Sequence, residues 1–465
     1  MADRPETVRD LRKSGYNVLT VREELRKNLI TKLRAGEPIV DGILGYDETV
    51  LPALENAFLA GQDVIFLGER GQAKSRLIRS LPSLLDEEIP ILDEVEIPED
   101  PYNPVTREGR ALIEKHGDKA PIRWLHRDDR YGEKLATPDI SIADLIGEVD
   151  PIKVAEGRYL ADEMTIHFGL VPRSNRGIFC INELPDLAER IQVGLLNLME
   201  ERDVQIRGFR VRLPLDVVIV ASANPEDYTN RGRIITPLKD RYGAQVRTHY
   251  PQDIETEVRI VAQERAPLNL DGVRITMPDY MDEVLAEVTQ LARRSPDVNQ
   301  RSGVSVRATI AAHETLVANA ARRAIRLGEE HVVPRVTDLP AIYPAIQGKI
   351  ELETVDDGGE EQIIEKLVQG GVAVVFNRRF NVTDLEEIVA QFKTGLTVEV
   401  GEELPATAYG KFLDEVPGLA AGVSALAPGG DAALTAGAVE FVLEGLHLNK
   451  RLNRDRIGAH TQYRG

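Results

Sequence analysis

The eight residues Gly68-Glu69-Arg70-Gly71-Gln72-Ala73-Lys74-Ser75 combine two glycines, an ammonium and a hydroxyl at the spacing that grips a polyphosphate. Glycines let consecutive backbone N–H groups turn inward around a phosphate. Lys74 then places a point charge on the phosphate oxygens, and the Ser75 hydroxyl is a ligand for Mg²⁺. The apolar run Val64 to Leu67 leads straight into the loop and Arg76-Leu77-Ile78 begins a helix behind it, the strand-loop-helix setting of a Walker A motif. All eight are candidate nucleotide-binding residues, with ATP and Mg²⁺ as the expected cofactors. Ala73 stands where glycine is usual. Because alanine resists φ > 0, near-helical dihedrals are expected at that position.

A second set of candidates lies farther along. The apolar run Gly177-Ile178-Phe179-Cys180-Ile181 ends in Asn182-Glu183, where a Walker B strand normally ends in Asp-Glu. Glu183 is expected to orient and polarise the attacking water, and Asn182 joins Ser75 on the metal side. An amide accepts a hydrogen bond but brings no negative charge, so slow hydrolysis is expected. The run Val217 to Ala221 leads to Ser222-Ala223-Asn224-Pro225, and strand order would set Asn224 beside Glu183 to help position the water. Arg241 precedes the last strand-like run and is the candidate arginine finger, with Arg231 and Arg233 competing for that role. Arg307, at the start of a later helix, is expected to fold over the nucleotide. Cys180 reads as a small buried strand residue.

These groups need a sheet to hold them. Short apolar runs bounded by Gly, Pro or Asn predict buried strands at Val64 to Leu67, Ile178 to Ile181, Val217 to Ala221 and Gln245 to Thr248. Helix-period segments alternate with them, which is the pattern of a βαβ-built parallel sheet. Residues 86 to 176 are too many for one crossover and imply insertions. That stretch opens with eight acidic residues between Asp86 and Asp100 and no basic one. Pro90 and Pro98 interrupt any regular carboxylate spacing, so a solvated surface segment is expected rather than a metal site. From about 252 the pattern turns helical, with Val306 to Ile325 the most regular stretch, and the Gly/Asp/Glu cluster from Glu351 to Glu361 marks a boundary.

Composition narrows the class. The chain has 465 residues, 42% hydrophobic and 29% charged, the profile of a folded globular protein of two to four domains. A net charge of -19 repels polyanions, so neither nucleic acid nor an anionic membrane is expected as a partner. The single cysteine excludes an internal disulfide and multi-cysteine metal sites. Without an apolar run of membrane-span length or a signal-peptide-like start, the expected location is cytoplasmic. Lys450, Arg451, Arg454, Arg456 and Arg464 outnumber Asp455 near the end, where a solvated tail is expected.

Taken together these residues resemble the AAA+ superfamily, and within it the ATPase subunit of magnesium chelatase, the I subunit, with MoxR-type ATPases as the broader neighbourhood. The segment from Ile142 to Gly177, with the run Gly169-Leu170-Val171-Pro172-Arg173-Ser174-Asn175-Arg176-Gly177, resembles that clade's insertion before Walker B. Asp203 to Leu213 resembles its β-hairpin, and Asn224-Pro225-Glu226-Asp227 and Leu238-Lys239-Asp240-Arg241-Tyr242 resemble its sensor 1 and arginine motifs. The resemblance covers about residues 37 to 350.

It implies an α/β fold: an AAA+ P-loop core with a parallel sheet over 37–251, preceded by a helical segment at 1–36. A helical lid domain is expected at 252–350, and an α-rich or α+β C-terminal extension of unknown role at 351–465. It also implies an ATP-hydrolysing homo-oligomeric ring, a hexamer, that remodels a partner protein carrying a von Willebrand factor A domain. In such a ring Arg241 would reach the neighbour's nucleotide. Two other classes compete. Arg207, Arg210 and Arg212 on the hairpin would suit a nucleic-acid motor or transcription regulator, and Asn182 would suit a nucleotide-binding scaffold with little turnover.

Overall fold

The computed structural model describes residues 4–149, 165–201, 203–205, 212–224, 232–353, 359–457 and 460–465. The chain divides into two compact units, Met1–His249 and Tyr250–Gly465.

In the first unit five strands form one parallel sheet: β1 (Val64–Leu67), β2 (Tyr131–Leu135), β3 (Gly177–Asn182), β4 (Val217–Ala223) and β5 (Ala244–Arg247). Their order across the sheet is β5-β1-β4-β3-β2. Alternation along each strand sends side chains to opposite faces, and both faces are covered. Val64, Phe66, Cys180, Val218 and Val220 pack with Leu25, Leu54, Phe58 and Leu77. Ile65, Leu67, Phe179, Ile181 and Ile219 pack on the other side with Leu145, Leu198 and Leu238. The four strands expected from apolar runs are thus present. The fifth, β2, comes from within 86–176 and forms the edge beside β3.

A buried ion pair holds that edge in place. Arg130, immediately before β2, donates to Glu24 at 2.7 and 2.6 Å and to the carbonyl of Arg176, immediately before β3, at 2.8 Å. Glu24 belongs to the helix Val21–Ala35, whose start carries a Thr20/Glu23 capping box and whose end is capped by Gly36 in the left-handed region. Both charged side chains are shut off from water, so removal of either partner alone would cost about 3–5 kcal/mol.

The acidic opening of the insertion is not a solvated segment. Glu88–Leu92 is a strand antiparallel to Ile122–His126, with Ile89, Ile91 and Leu92 buried. Glu99 is fully buried and accepts from the N–H groups of Val105 and Thr106 and from the Thr106 hydroxyl. Its partners lie six and seven residues downstream, which a count of charges does not reveal. Two antiparallel pairs follow: Gly147–Val149 with Ile166–Phe168, and Asp203–Gln205 with Arg212–Pro214. Arg207 and Arg210 lie outside the described residues.

The second unit is built on the helices Asp279–Ala292, Val306–Leu327, Gly359–Arg379 and Ala432–Leu448. One hydrophobic core runs through it, joining Tyr280, Leu316 and Ile342 to Phe376, Phe441 and Tyr463, and so spans both sides of the 351–361 cluster. Close packing demands glycine at 445, where a Cβ would sit 1.9 Å from the Phe376 ring. The chain end is not a solvated tail either. Asn453–Ile457 and His460–Arg464 form an antiparallel sheet with Val398–Gly401, and Tyr463 is buried with its hydroxyl donating to Glu444 at 2.6 Å. The basic residues are there neutralised in pairs, Arg454 by Glu444, Arg456 by Glu365 and Arg464 by Asp455. Among the described residues no helix is long and apolar enough to cross a membrane.

Candidate functional site

The loop from Gly68 to Ala73 leaves the C-terminal end of β1 and enters the helix Lys74–Ser80. Its entry is tied to the sheet by the N–H of Gly68, which donates to the Ala223 carbonyl at 3.1 Å. A side chain at 68 cannot be accommodated, since a Cβ would lie 1.9 Å from Thr248 Oγ1 and 2.2 Å from Gln72 Oε1. Gln72 closes the loop on itself. Its amide oxygen accepts from the Glu69 N–H at 3.0 Å and from the Thr248 hydroxyl at 2.8 Å, while its carbonyl accepts from Tyr46 at 2.7 Å. Glu69 is half-buried and Arg70 exposed.

The loop turns by positive φ, at Gly71 (φ 74°) and again at Ala73 (φ 52°, ψ 15°). Ala73 is therefore left-handed, not near-helical as its side chain suggested. The turn that carries the chain into the helix sets this dihedral, and alanine accepts about 1 kcal/mol of strain to follow it. Lys74 is buried and its ammonium curls back across the loop, donating to the carbonyls of Gly68 and, at 2.9 Å, Glu69. An ammonium lying over an inward-turned loop is the donor set that a polyphosphate requires.

Next to it, β3 brings Asn182 to Ser75. Asn182 Nδ2 lies 3.2 Å from the Ser75 hydroxyl and 3.2 Å from Oε1 of Glu133, and its Oδ1 accepts from Ser222. Glu133 is on β2 and also takes a fork of two bonds from Arg79, at 2.8 and 2.9 Å, and one from Tyr131 at 3.0 Å. The Arg79 hydrogen bonds hold its carboxyl below the usual range. Burial pushes the neighbouring Cys180 thiol up to about 12, so it is an inert core residue.

Glu183 follows Asn182 in the left-handed region, φ 55° and ψ 49°, and is half-buried. Asn224, 2% exposed, follows β4, so the two residues stand at the same end of neighbouring parallel strands. Arg241 ends the helix Thr236–Arg241 and is bound by Glu200 and by the Pro237 carbonyl at 2.7 Å. Arg233 is exposed and paired with Glu189, and Arg231 lies outside the described residues. Arg307 belongs to the second unit, where it is exposed at the start of the helix Val306–Leu327 and its N–H donates to the Ser305 cap at 3.1 Å.

Lys74, Ser75, Asn182, Glu183 and Asn224 thus come together at one end of one sheet. Glu133, Arg79, Ser222 and Thr248 share that place without having been singled out in the sequence. The signal for Glu133 was weak: Tyr131-Gly132-Glu133-Lys134-Leu135 has no apolar run. Among the described residues no cluster of three or more His, Cys, Asp or Glu is arranged to hold a metal ion by itself. The Ser75 hydroxyl beside Asn182 instead suits a cation that arrives with a phosphate.

Comparison with known proteins gives the same direction. No family model matches the chain. It is 28% identical over 215 residues to the magnesium-chelatase 38 kDa subunit of Cereibacter sphaeroides, a match that covers 44% of this chain and 56% of that protein. It is 26% identical over 325 residues to the magnesium-chelatase subunit ChlI of Guillardia theta, covering 64% and 86%. The match to the chloroplastic ChlI-1 of Arabidopsis thaliana is 26% over 341 residues, covering 68% and 76%. The chain thus spans little more than half of the first of these relatives. A BchI–BchD complex of magnesium chelatase aligns at 21% identity over 69% of this chain and 97% of that one, with a TM-score of 0.35.

A P-loop at the end of β1, with the Asn-Glu tip of β3 two strands away across β4, is the arrangement of a P-loop nucleotide-binding protein of the AAA+ class. In sequence the chain is similar to the 38 kDa and ChlI subunits of magnesium chelatase.

Proposed function

We propose that this chain binds ATP with Mg²⁺, hydrolyses the γ-phosphate, and works as a subunit of a homo-oligomeric ring that remodels a partner protein. The observation that carries the reading is the placement of the Lys74 ammonium beside the loop carbonyls and of the Ser75 hydroxyl beside Asn182, with Glu183 the next residue, at the C-terminal ends of β1 and β3. ATP brings the transferable phosphoryl group and Mg²⁺ spreads its charge. The protein's part is positioning. Lys74 exchanges loop carbonyls for phosphate oxygens, and Ser75 with Asn182 holds the metal side. Glu183 and Asn224 orient the water, and Arg241 neutralises charge on a neighbour's nucleotide. The ring size of six and a partner with a von Willebrand factor A domain follow from the resemblance to the chelatase ATPases. The rate of about 10³ to 10⁵ that an arginine finger contributes ties turnover to assembly.

The test is calorimetric titration of Mg-ATP into the wild type and Lys74→Ala. Loss of the ammonium leaves phosphate charge uncompensated, so tight binding should vanish in the variant. Equal affinities would remove the P-loop assignment and the function built on it.

A further inference from the structure

Asn182 and Glu133 explain each other. A Walker B strand ends in a carboxylate on the metal side, and here that position holds an amide. The adjacent strand β2, however, aims a carboxylate at the same amide. Its register with β3 pairs Glu133 with Cys180 and Leu135 with Asn182, so Glu133 and Asn182 share one face of the sheet and meet diagonally. The amide is used in full. Its two N–H groups go to Ser75 and Glu133, and its oxygen accepts from Ser222. An aspartate at 182 has no donor for Glu133, and two carboxylates 3.2 Å apart would repel. Asparagine is the residue that lets a carboxylate on β2 approach the site.

We propose that Glu133 supplies, through Asn182, the negative charge toward the nucleotide's Mg²⁺ that the tip of β3 lacks. The charge has moved one strand sideways and the site keeps it. The bland alternative makes Glu133 the ion-pair partner of Arg79 and nothing more. Two observations weigh against that. The Arg79 side chain is 62% exposed, and such a pair is worth less than about 1 kcal/mol. Glu133 is meanwhile only 21% exposed, and both of its oxygens are engaged, by Tyr131 and Asn182 as well as Arg79. An exposed pair does not need a half-buried tyrosine and a strand-tip amide to place it.

This inference rests on the ATP-binding reading, and the experiment separates the two. ATP is titrated calorimetrically into the full chain with and without MgCl₂, and the ratio of the two affinities measures what Mg²⁺ adds. Glu133→Gln should lower that ratio by about tenfold, the loss typical of a residue behind the first ring of metal ligands, while leaving Mg²⁺-free affinity within about twofold. The double variant Glu133→Gln with Asn182→Asp returns a carboxylate to β3 and a donor to β2, and should restore the ratio. Arg79→Ala removes the ion pair but not the carboxylate, and should retain the ratio. An unchanged ratio in Glu133→Gln overturns the proposal, as does an Arg79→Ala variant that loses as much as Glu133→Gln. A double variant that stays as low as Glu133→Gln does the same, with circular dichroism confirming that each protein is folded. If the wild type binds ATP under neither condition, the nucleotide reading itself falls and this one with it.

Discussion

The backbone N–H of Glu183 donates to the Ser222 hydroxyl at 3.0 Å, and the same hydroxyl donates to Asn182, so one serine joins the tips of β3 and β4. It does so across a strained residue. Glu183 is left-handed, a conformation that costs an L-residue about 1–2 kcal/mol. Strain at the residue expected to face the water, held by a bond from the next strand, is what a positioned base requires. Glu183→Gln keeps the shape and removes the charge. It should bind ATP as the wild type does and release phosphate about 10² to 10⁴ times more slowly. Equal rates of phosphate release would hand the role to another group and favour a scaffold.

Ala73 carries the other strained dihedral of the site, φ 52°. Ala73→Gly removes the Cβ that resists it, at some cost in unfolded-chain entropy. The balance favours glycine where φ is positive, so the first unit should gain about 1 kcal/mol in urea unfolding. A loss of stability would mean that the alanine methyl makes contacts worth more than the strain.

The buried core strands were legible because each is covered on both faces and therefore reads as an unbroken apolar run. Val64–Leu67 and Val217–Ala223 are the clearest cases, buried at every position. Strand β2 was not legible, for the converse reason. As an edge strand it has one neighbour, and its residues are half-buried or exposed, so no periodicity separates it from a loop. Glu133 was lost with it. The same limit hid Glu99, since burial of a carboxylate is decided by the backbone N–H groups that meet it and not by the density of charge around it.

In the second unit a buried histidine and a half-buried aspartate titrate in opposite senses. Burial raises the Asp282 carboxyl to about 6 from an ordinary 3.8, and burial lowers His313 to about 4 from 6.5, with Arg265 adding to the fall. Asp282 Oδ1 lies 3.4 Å from His313 Nε2. A raised carboxyl favours the folded state below pH 3.8 and loses that contribution as pH rises through 6. A depressed histidine favours it above 6.5 and loses that contribution as pH falls through 4. Acidification from 6.5 to 4 therefore brings a gain from one and a loss from the other. Asp282→Asn removes the gain, so its urea midpoint should fall more steeply than the wild type's across that window. Parallel curves would show that the two groups do not offset.

Arg241, the arginine finger of the proposed ring, is held in this structure by Glu200 and the Pro237 carbonyl. Glu200 is 58% exposed, so the pair is cheap to open when a neighbouring nucleotide competes for the guanidinium. A finger supplied in trans makes specific activity rise with protein concentration. It also lets two dead subunits repair each other. Glu183→Gln still carries the arginine and Arg241→Ala still carries the carboxylate, so each alone should be inactive while a mixture regains part of the wild-type rate. Glu200→Ala separates this role from a structural one. It frees Arg241 and should keep full activity, whereas a guanidinium that matters only as Glu200's partner would make Glu200→Ala as poor as Arg241→Ala. If mixed rings form by light scattering and the mixture stays dead, Arg241 is not the trans-acting group, and Arg231 and Arg233 become the residues to replace.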